Sequence, residues 1–378
     1  MTEQQSWYNK WYKIMLFPPL IMLFLSLIYL GFFYSQHNDI MLRDVSLTGG
    51  TTITLSKEVP ADFEQSLKQT FPDVNFRKLT ELNSGKQIAT IIESSASSQQ
   101  LKEGIENILG YNLTDDISSI EYTGSSLGKG FYVELAKTVL LAFILMALVI
   151  FLIFGESNRM KAIAVALSLV AIKLTFPTSL LVGVLVIIIG ISALIYSLIK
   201  SKNKIQYFYP GIVFLILIIS FIFPIYYFIF PIAAIIFATY LFKSIPSIAV
   251  IFAAFCDIII ALVFVDIIGL KLSAAGIAAF LMLIGYSVDT DILLTTRALR
   301  KKEGTLNQRI YGAFKTGILM TLTALAAVLP AFFLVTGLPE SFRQIFLILA
   351  VGLFADIFST WLTNASIIKW YCDKKGIN

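Results

Sequence analysis

Pro246-Ser-Ile-Ala-Val-Ile-Phe-Ala-Ala-Phe-Cys-Asp-Ile-Ile-Ile-Ala-Leu-Val-Phe-Val-Asp-Ile-Ile-Gly269 runs for 24 residues with charge only at Asp257 and Asp266. A helix rises about 1.5 Å per residue, so about 20 such residues cross the roughly 30 Å of bilayer hydrocarbon. The stretch therefore reads as a membrane span with an acid halfway along it. The rest of the 378-residue chain agrees: 57% of residues are hydrophobic and 14% charged, and the mean hydropathy is +0.81. A soluble domain is about 45–50% apolar and about 25% charged. That excess excludes a soluble enzyme, a nucleic-acid binder and a disulfide-stapled secreted domain. The two cysteines, Cys256 and Cys372, are not placed for a structural disulfide, and one histidine (His37) is too few for a soft-ligand metal site.

Working outward, three clear spans follow at about 272–295, 311–335 and 343–367. A first span at about Ile14–Tyr34 reads as a retained anchor, and a second at 131–154 ends at Gly155-Glu-Ser-Asn-Arg-Met-Lys161. Between them and Pro246 lie two apolar blocks, 161–199 and 206–243, each too long for one crossing. Each is expected to split in two, near Phe176-Pro177-Thr178 and near Phe223-Pro224, giving ten spans in all. The expected divisions are 1–34 for the N-terminus and first span, 35–130 for a polar domain and 131–155 for the second span. Four inserted spans at 156–240 and a four-span core with the C-terminus at 241–378 complete them.

Charge orients this layout. Residues 35–130 hold 8 Lys/Arg against 13 Asp/Glu, and the remainder holds 21 against 11. With both termini cytoplasmic, 17 of the 21 basic residues of the membrane part, including Lys200–Lys204, fall inside and 4 outside. The polar domain is then extracytoplasmic. Its pattern is strand Thr51–Ser56, helix Ala61–Thr70, strands Val74–Leu82 and Gln87–Glu93, helix Ser98–Leu109 and strand Ile117–Thr123. A turn at Asn83-Ser-Gly85 joins the middle strands, and Ser98 with Glu103 marks a helix start. That β-α-β-β-α-β order is the ferredoxin-like split motif.

A charge at the bilayer centre costs at least about 2.5–3.5 kcal/mol, so ionisable residues inside spans are candidates for function. They are Asp257, Asp289, Asp291, Lys315 and Asp356, all in the last four spans. Each could instead be a packing group, and Asp291 and Lys315 lie close enough to the surface to snorkel. Gly352, Asp356, Ser359, Thr360 and Thr363 form a polar stripe on one helical face. Asp289 and Asp291 point about 200° apart on a continuous helix, so one of them faces the site and the other is a loop-side partner, as for Arg297. Carboxylates and one basic residue inside a bundle suit proton transfer. With no histidine in the spans and no Walker-type glycine loop, neither hydrolysis nor an ATP motor is expected.

Several segments carry a family likeness. Leu47-Thr48-Gly49-Gly50-Thr51 follows the first span, and Ile284-Gly285-Tyr286-Ser287-Val-Asp289-Thr-Asp291-Ile-Leu-Leu-Thr-Thr-Arg297 ends a core span. Phe255-Cys-Asp257 and Gly352-Leu-Phe-Ala-Asp356, with Thr360-Trp-Leu-Thr-Asn364, complete the set. Over about 1–155 and 241–378 the chain resembles the SecF subunits of the Sec protein-export apparatus, in their archaeal form, with the same layout of one span, an external domain and a helical bundle. The resemblance implies a cell-membrane protein, not an enzyme, with no cofactor and no metal. It implies action beside a SecD-like paralogue and a SecY-type channel, contact with exported polypeptides and lipid but not nucleic acid, and proton coupling through the intramembrane carboxylates as in the RND superfamily. Departures are the acids at Asp289 and Asp291 around Thr290, Lys315-Thr316 for an Arg-Thr pair, Cys256 for a histidine, Ser46 for an Asp, and the spans of 156–240. Two other classes stay open: a self-contained RND-type transporter or exporter, and a translocon scaffold whose acids only pack helices.

Overall fold

Helix ends in this protein are set by capping residues more than by where the apolar runs stop. The computed structural model describes residues 3–57, 59–60, 62–80, 87–175, 243–300, 304–334 and 340–377, with isolated positions at 188, 192 and 195. The turn at Asn83–Gly85 and nearly all of the inserted segment, including both proline breaks and Lys200–Lys204, lie outside the described residues.

Helix α1 (Glu3–Met15) stops just before Pro18 and Pro19, and α2 (Phe17–His37) starts on that proline pair. Proline at the first helical positions sacrifices no hydrogen bond. Asn38 closes α2 in the left-handed region (φ 53°), its N–H reaching the Tyr34 carbonyl at 2.8 Å. The first span therefore ends about three residues later than hydropathy alone places it. A short turn, α3 (Val45–Thr48), is capped by the Asp44 carboxylate, which accepts from the Ser46 amide at 2.8 Å.

The polar domain follows as β1 (Gly50–Leu55), α4 (Phe63–Thr70), β2 (Asn75–Thr80), β3 (Gln87–Ser94), α5 (Ser98–Leu109) and β4 (Ser118–Thr123). Its four strands form one antiparallel sheet in the order β2-β3-β1-β4, with Ile53 opposite both Ile92 and Ile120. Alternate residues of β1 (Thr51, Ile53 and Leu55) are buried, as a strand with one covered face requires. Phe63 and Leu67 of α4 and Leu101 and Ile105 of α5 supply the cover. The cap of α5 is Ser97, one residue ahead of the expected Ser98, and its partner is Gln100 in place of Glu103.

Among the described residues, six helical stretches are long and apolar enough to cross a membrane: Asn9–His37, Leu127–Phe154, Ile245–Ile268, Ala274–Arg300, Leu306–Phe333 and Phe342–Lys375. They belong to the end of α1 with α2, α6 (Ser125–Phe154), α8 (Ile245–Ile268), α9 (Ala274–Arg300), α10 (Leu306–Leu334) and α11 (Glu340–Phe358) with its continuation. Of the inserted segment, α7 (Asn158–Thr175) is described and packs on α6, with Leu167, Val170 and Ala171 in the same apolar cluster as Val250 and Ile251 of α8. Beyond α11 the chain winds as a π-helix over Ser359–Asn364 and then as α12 (Ala365–Lys375). The polar stripe expected on one continuous α-helix is thus wound in two geometries. Such π-segments are rare and often lie at functional sites.

Helix α9 is the centre of the bundle, packed against α6, α8, α10 and α11. In a bilayer, apolar burial gives little drive for helix association, so close approach at small residues matters more. A side chain at Gly352 would overlap Leu283, and one at Gly317 would overlap Trp361. By contrast, α2 and α10 present broad apolar faces, with Phe24, Leu25, Leu319 and Leu322 exposed.

Two outcomes follow from this packing. Gly352→Ala is expected to cost about 1–3 kcal/mol of bundle stability, with part recovered by Leu283→Ala in the same chain. Thermal melts of the single and double variants in detergent measure it, and a wild-type melt for Gly352→Ala would contradict the contact. In the sheet domain, Asp73 accepts from the Ser95 amide and hydroxyl, both at 2.6 Å, and from the Ser94 hydroxyl at 3.1 Å. Burial pushes its carboxyl up, but these donors outweigh it and hold it below the ordinary 3.8. A carboxyl depressed on folding stabilises above its unfolded pKa and loses that contribution as the pH falls through the folded one. Asp73→Asn should therefore cost about 1 kcal/mol near neutrality, a solvent-screened value, and progressively less below about pH 4. Amide exchange across β1–β4 of the full chain at both pH values reads the difference.

Candidate functional site

Three helices bring three acids into the interior of the bundle. Asp257 from the middle of α8, Asp291 from α9 and Asp356 from α11 are each 0% exposed. On α9 the buried face carries Ser287, Thr290, Asp291, Leu294 and Thr295, the i, i+3, i+4, i+7 and i+8 positions of one helical side. Asp289, about 200° from Asp291, is exposed. The α9 acid in the core is therefore Asp291.

The donors to these carboxylates are hydroxyls and one amide. Asp257 accepts from Ser287 Oγ at 2.5 Å and from Ser359 Oγ of the π-helical turn. Asp356 accepts from Thr360 Oγ1 at 2.8 Å, Thr290 Oγ1 at 3.1 Å and Thr321 Oγ1 of α10 at 3.4 Å. The Thr290 hydroxyl has one proton, and the Ser287 carbonyl at 2.9 Å competes for it. Asp291 accepts from Asn364 Nδ2 at 2.7 Å through Oδ1, while its Oδ2 has no hydrogen-bond partner. Asp257 thus has two side-chain donors, Asp356 three and Asp291 one. Hydrogen bonds to a charged group contribute about 1.5–3 kcal/mol each, against a burial cost of several kcal/mol per ion.

The expected basic partner does not join them. The inward face of α10 is Ala313, Gly317 and Thr321, and Lys315 stands two residues off it. Its ammonium is exposed and lies over the Tyr311 ring at 4.9 Å. Arg297 pairs with neither α9 acid; its guanidinium donates to the Gly312 carbonyl at 2.6 Å and to Thr316 Oγ1 at 3.0 Å, tying α9 to α10. Among the described residues no ion pair involves Asp257, Asp291 or Asp356, and no group of three His, Cys, Asp or Glu is placed to hold a metal. Carboxyls held by neutral donors can gain or lose a proton without breaking a salt bridge.

The other signature residues divide. Ser287 joins the site, whereas Gly285 and Tyr286 lie on the outer face of α9. Thr48, Gly49 and Gly50 form the neck between α2 and the sheet. Thr48 Oγ1 donates to the Asp44 carbonyl at 3.0 Å, and a side chain at Gly128 of α6 would meet the Gly49 nitrogen at 2.6 Å. Gly50 has φ of 135°, which a side chain would strain. Of the stripe, Thr363 is buried with its hydroxyl unpartnered and does not bond the acids. Thr290, Thr321 and Asn364 were not expected in the site. Thr290 was legible in principle, since it falls three residues after Ser287, and Thr321 falls four after Gly317.

Residues 213–374 match the family described as protein export membrane protein SecD/SecF, C-terminal. The chain is 50% identical over 133 residues to the protein-export membrane protein SecF of Methanolacinia petrolearia, a match covering 35% of this chain and 47% of that protein. It is also 50% identical over 136 residues to the SecF of Methanothermobacter thermautotrophicus, with the same coverage of 35% and 47%. The matched region thus spans just under half the length of these relatives. Among solved structures, SecDF from Thermus thermophilus, a translocon-associated membrane protein, aligns with TM-score 0.53 and 14% identity, covering 97% of this chain and 38% of that one. At that identity the likeness concerns the fold alone. The chain is a multi-pass membrane protein, and its residues 213–374, which carry Asp257, Asp291 and Asp356, are similar to the C-terminal part of the SecD/SecF protein-export membrane proteins.

Proposed function

We propose that the protein is a SecF-type accessory subunit of a Sec protein-export machinery. It acts with a SecD-like paralogous subunit beside a SecY-type channel, and its three buried carboxyls take up and release protons as the helices shift. The observation that carries this reading is the set of fully buried acids on α8, α9 and α11, held by hydroxyls and lacking a cationic partner among the described residues. A proton is the smallest counter-charge such a site can accept, and it needs no pocket.

The charge split supports cytoplasmic termini and an extracytoplasmic sheet domain. The β-α-β-β-α-β order with its antiparallel 2-3-1-4 sheet supports a ferredoxin-like reading of that domain, which would meet emerging polypeptide or the partner's own domain. The exposed apolar faces of α2 and α10 suit lipid or a second half-bundle.

One observation favours the scaffold reading instead: both Asp257 oxygens are already satisfied by serine hydroxyls, as a packing group would be. Single Asn variants of Asp257, Asp291 and Asp356 separate the two, with Asp289→Asn as control. Reporter secretion should fall at least about tenfold in the first three, a loss of about 1.4 kcal/mol in coupling, and less than about twofold in the control. Pull-down from the same membranes should show the partner complex intact. Normal secretion in all three would leave only the scaffold, and absence of any SecD-like partner would favour a lone exporter.

A further inference from the structure

Helices α8 and α9 are joined by a five-residue turn, Gly269–Ser273, in which Lys271, Leu272 and Ser273 bond to elements outside these two helices. On one side it meets the neck of the sheet domain. The Leu272 amide donates to the Leu42 carbonyl at 2.7 Å, and the Asp44 amide donates to the Leu272 carbonyl at 3.0 Å, a parallel β-bridge. The Ala274 amide donates to Ser46 Oγ at 3.2 Å, and the Lys271 ammonium reaches the Glu93 carboxylate of β3 at 3.4 Å. On the other side the turn meets α11 through one side chain. Gln344, 1% exposed, accepts from the Ser273 amide at 2.9 Å and hydroxyl at 2.7 Å, and donates from Nε2 to the Lys271 carbonyl at 2.9 Å. Gly276 leaves it room, since a Cβ there would lie 2.8 Å from Gln344 Oε1.

The placement gives this contact its meaning. Gln344 lies twelve residues, about 18 Å of helix, before Asp356 on α11. Asp257 lies the same distance before Gly269 on α8, and Asp291 about 25 Å beyond Ala274 on α9. The three acid-bearing helices thus converge at their other end on one turn, and that turn is hydrogen-bonded to the neck of the sheet domain. A buried amide with three of its bonds on the turn fixes α11 in register with α8 and α9, which an apolar side chain of equal size would not.

We infer that Gln344 is a positioning residue that transmits relative movement of α11 against α8 and α9 to the turn Gly269–Ser273, and through Leu42–Ser46 to the sheet domain. The inference rests on the ion-coupled reading above and adds to it the mechanical link. The acids are where the charge changes, and Gln344 is where the resulting shift leaves the bundle.

The test uses the full chain with its co-purifying partners in phosphatidylglycerol vesicles, with Gln344→Leu and the conservative Gln344→Glu, which keeps an acceptor for Ser273. Amide exchange at Asp44 and Leu272 reads the joint without reference to ions, and should accelerate at least about fivefold in Gln344→Leu, with partial recovery in Gln344→Glu. Spin labels at Tyr122→Cys on the sheet and Leu319→Cys on α10 read the coupling. A pH jump should change their separation in the wild type, not in Asp257→Asn, and by less than half the wild-type amount in Gln344→Leu. Carbodiimide labelling of the buried carboxyls should keep its wild-type pH profile in Gln344→Leu, which a generally misfolded bundle would not. Unchanged exchange at the two amides, or a full-size separation change in Gln344→Leu, overturns the inference. No separation change in the wild type, with exchange still responding to Gln344→Leu, overturns the transmission and the ion-coupled reading together while leaving the hydrogen-bonded joint itself standing.

Discussion

Three carboxylic acids share the middle of this bundle, and accommodating them constrains nearly everything around them. An ionised carboxylate buried without compensation costs several kcal/mol, so each acid needs donors at hydrogen-bond distance from a neighbouring helix. Ser287 of α9 and Ser359 of the π-helical turn both reach Asp257 of α8, which fixes three segments around one side chain. Thr290 of α9 and Thr321 of α10 reach Asp356 of α11. Hydroxyl side chains are short, so the backbones must come close. Gly352 against Leu283 and Gly317 against Trp361 are the positions where they do. The small residues and the hydroxyls are therefore one arrangement seen from two sides: the first permits the distance that the second requires.

The donors are also unequally shared, and this inequality has consequences. Asp356 is held by three threonine hydroxyls, whereas Asp291 is held by the Asn364 amide alone through one oxygen. Each acid thus has different hydrogen-bonding company, so the three are distinguishable by position. The π-helical turn contributes to the same effect. It carries Ser359, Thr360 and Asn364, each directed at a different acid, within six residues. A wider helical turn spreads adjacent side chains differently from an α-helix, and a slight rewinding there would alter the donors to all three acids at once.

The sequence was informative about what crosses the membrane and less so about which way each helix faces. Long apolar runs and capping signals located the six spans of the described residues and the alternation of helix and strand in the polar domain, because both depend on local residue pattern. The 200° argument correctly required Asp289 and Asp291 to part company, but choosing between them needed the identity of the neighbours. The buried face of α9 is defined by Ser287, Thr290 and Asp291 taken together, a spacing visible in the sequence though outweighed there by the attraction of the charges. Lys315 shows the same blind spot. Its type suggested a counter-ion, yet two residues of rotation from Ala313 and Gly317 put it on the outer surface. Gln344 was illegible for another reason: a polar residue near the start of a span reads as interfacial, and only the fold brings Ser273 and Lys271 to it.

One signature motif lies midway along α9, and the other forms the neck beside the helix's first residues. At the acids, Ser287 belongs to the charge-bearing network while Gly285 and Tyr286 face outward, where nothing within the described chain restrains them. At the neck, Gly49 and Gly50 hold positive φ angles, and Gly128 lets α6 press directly on that backbone. Replacing those glycines with larger residues would push the sheet domain away from α6 and from the Gly269–Ser273 turn. A domain hung on such close backbone contact follows the helices beneath it, whereas one joined by a loose linker would swing independently of them. The conformational demands of the neck and the electrostatic demands of the core thus meet on the same few helices, which is why so much of the chemistry is concentrated in α8, α9 and α11.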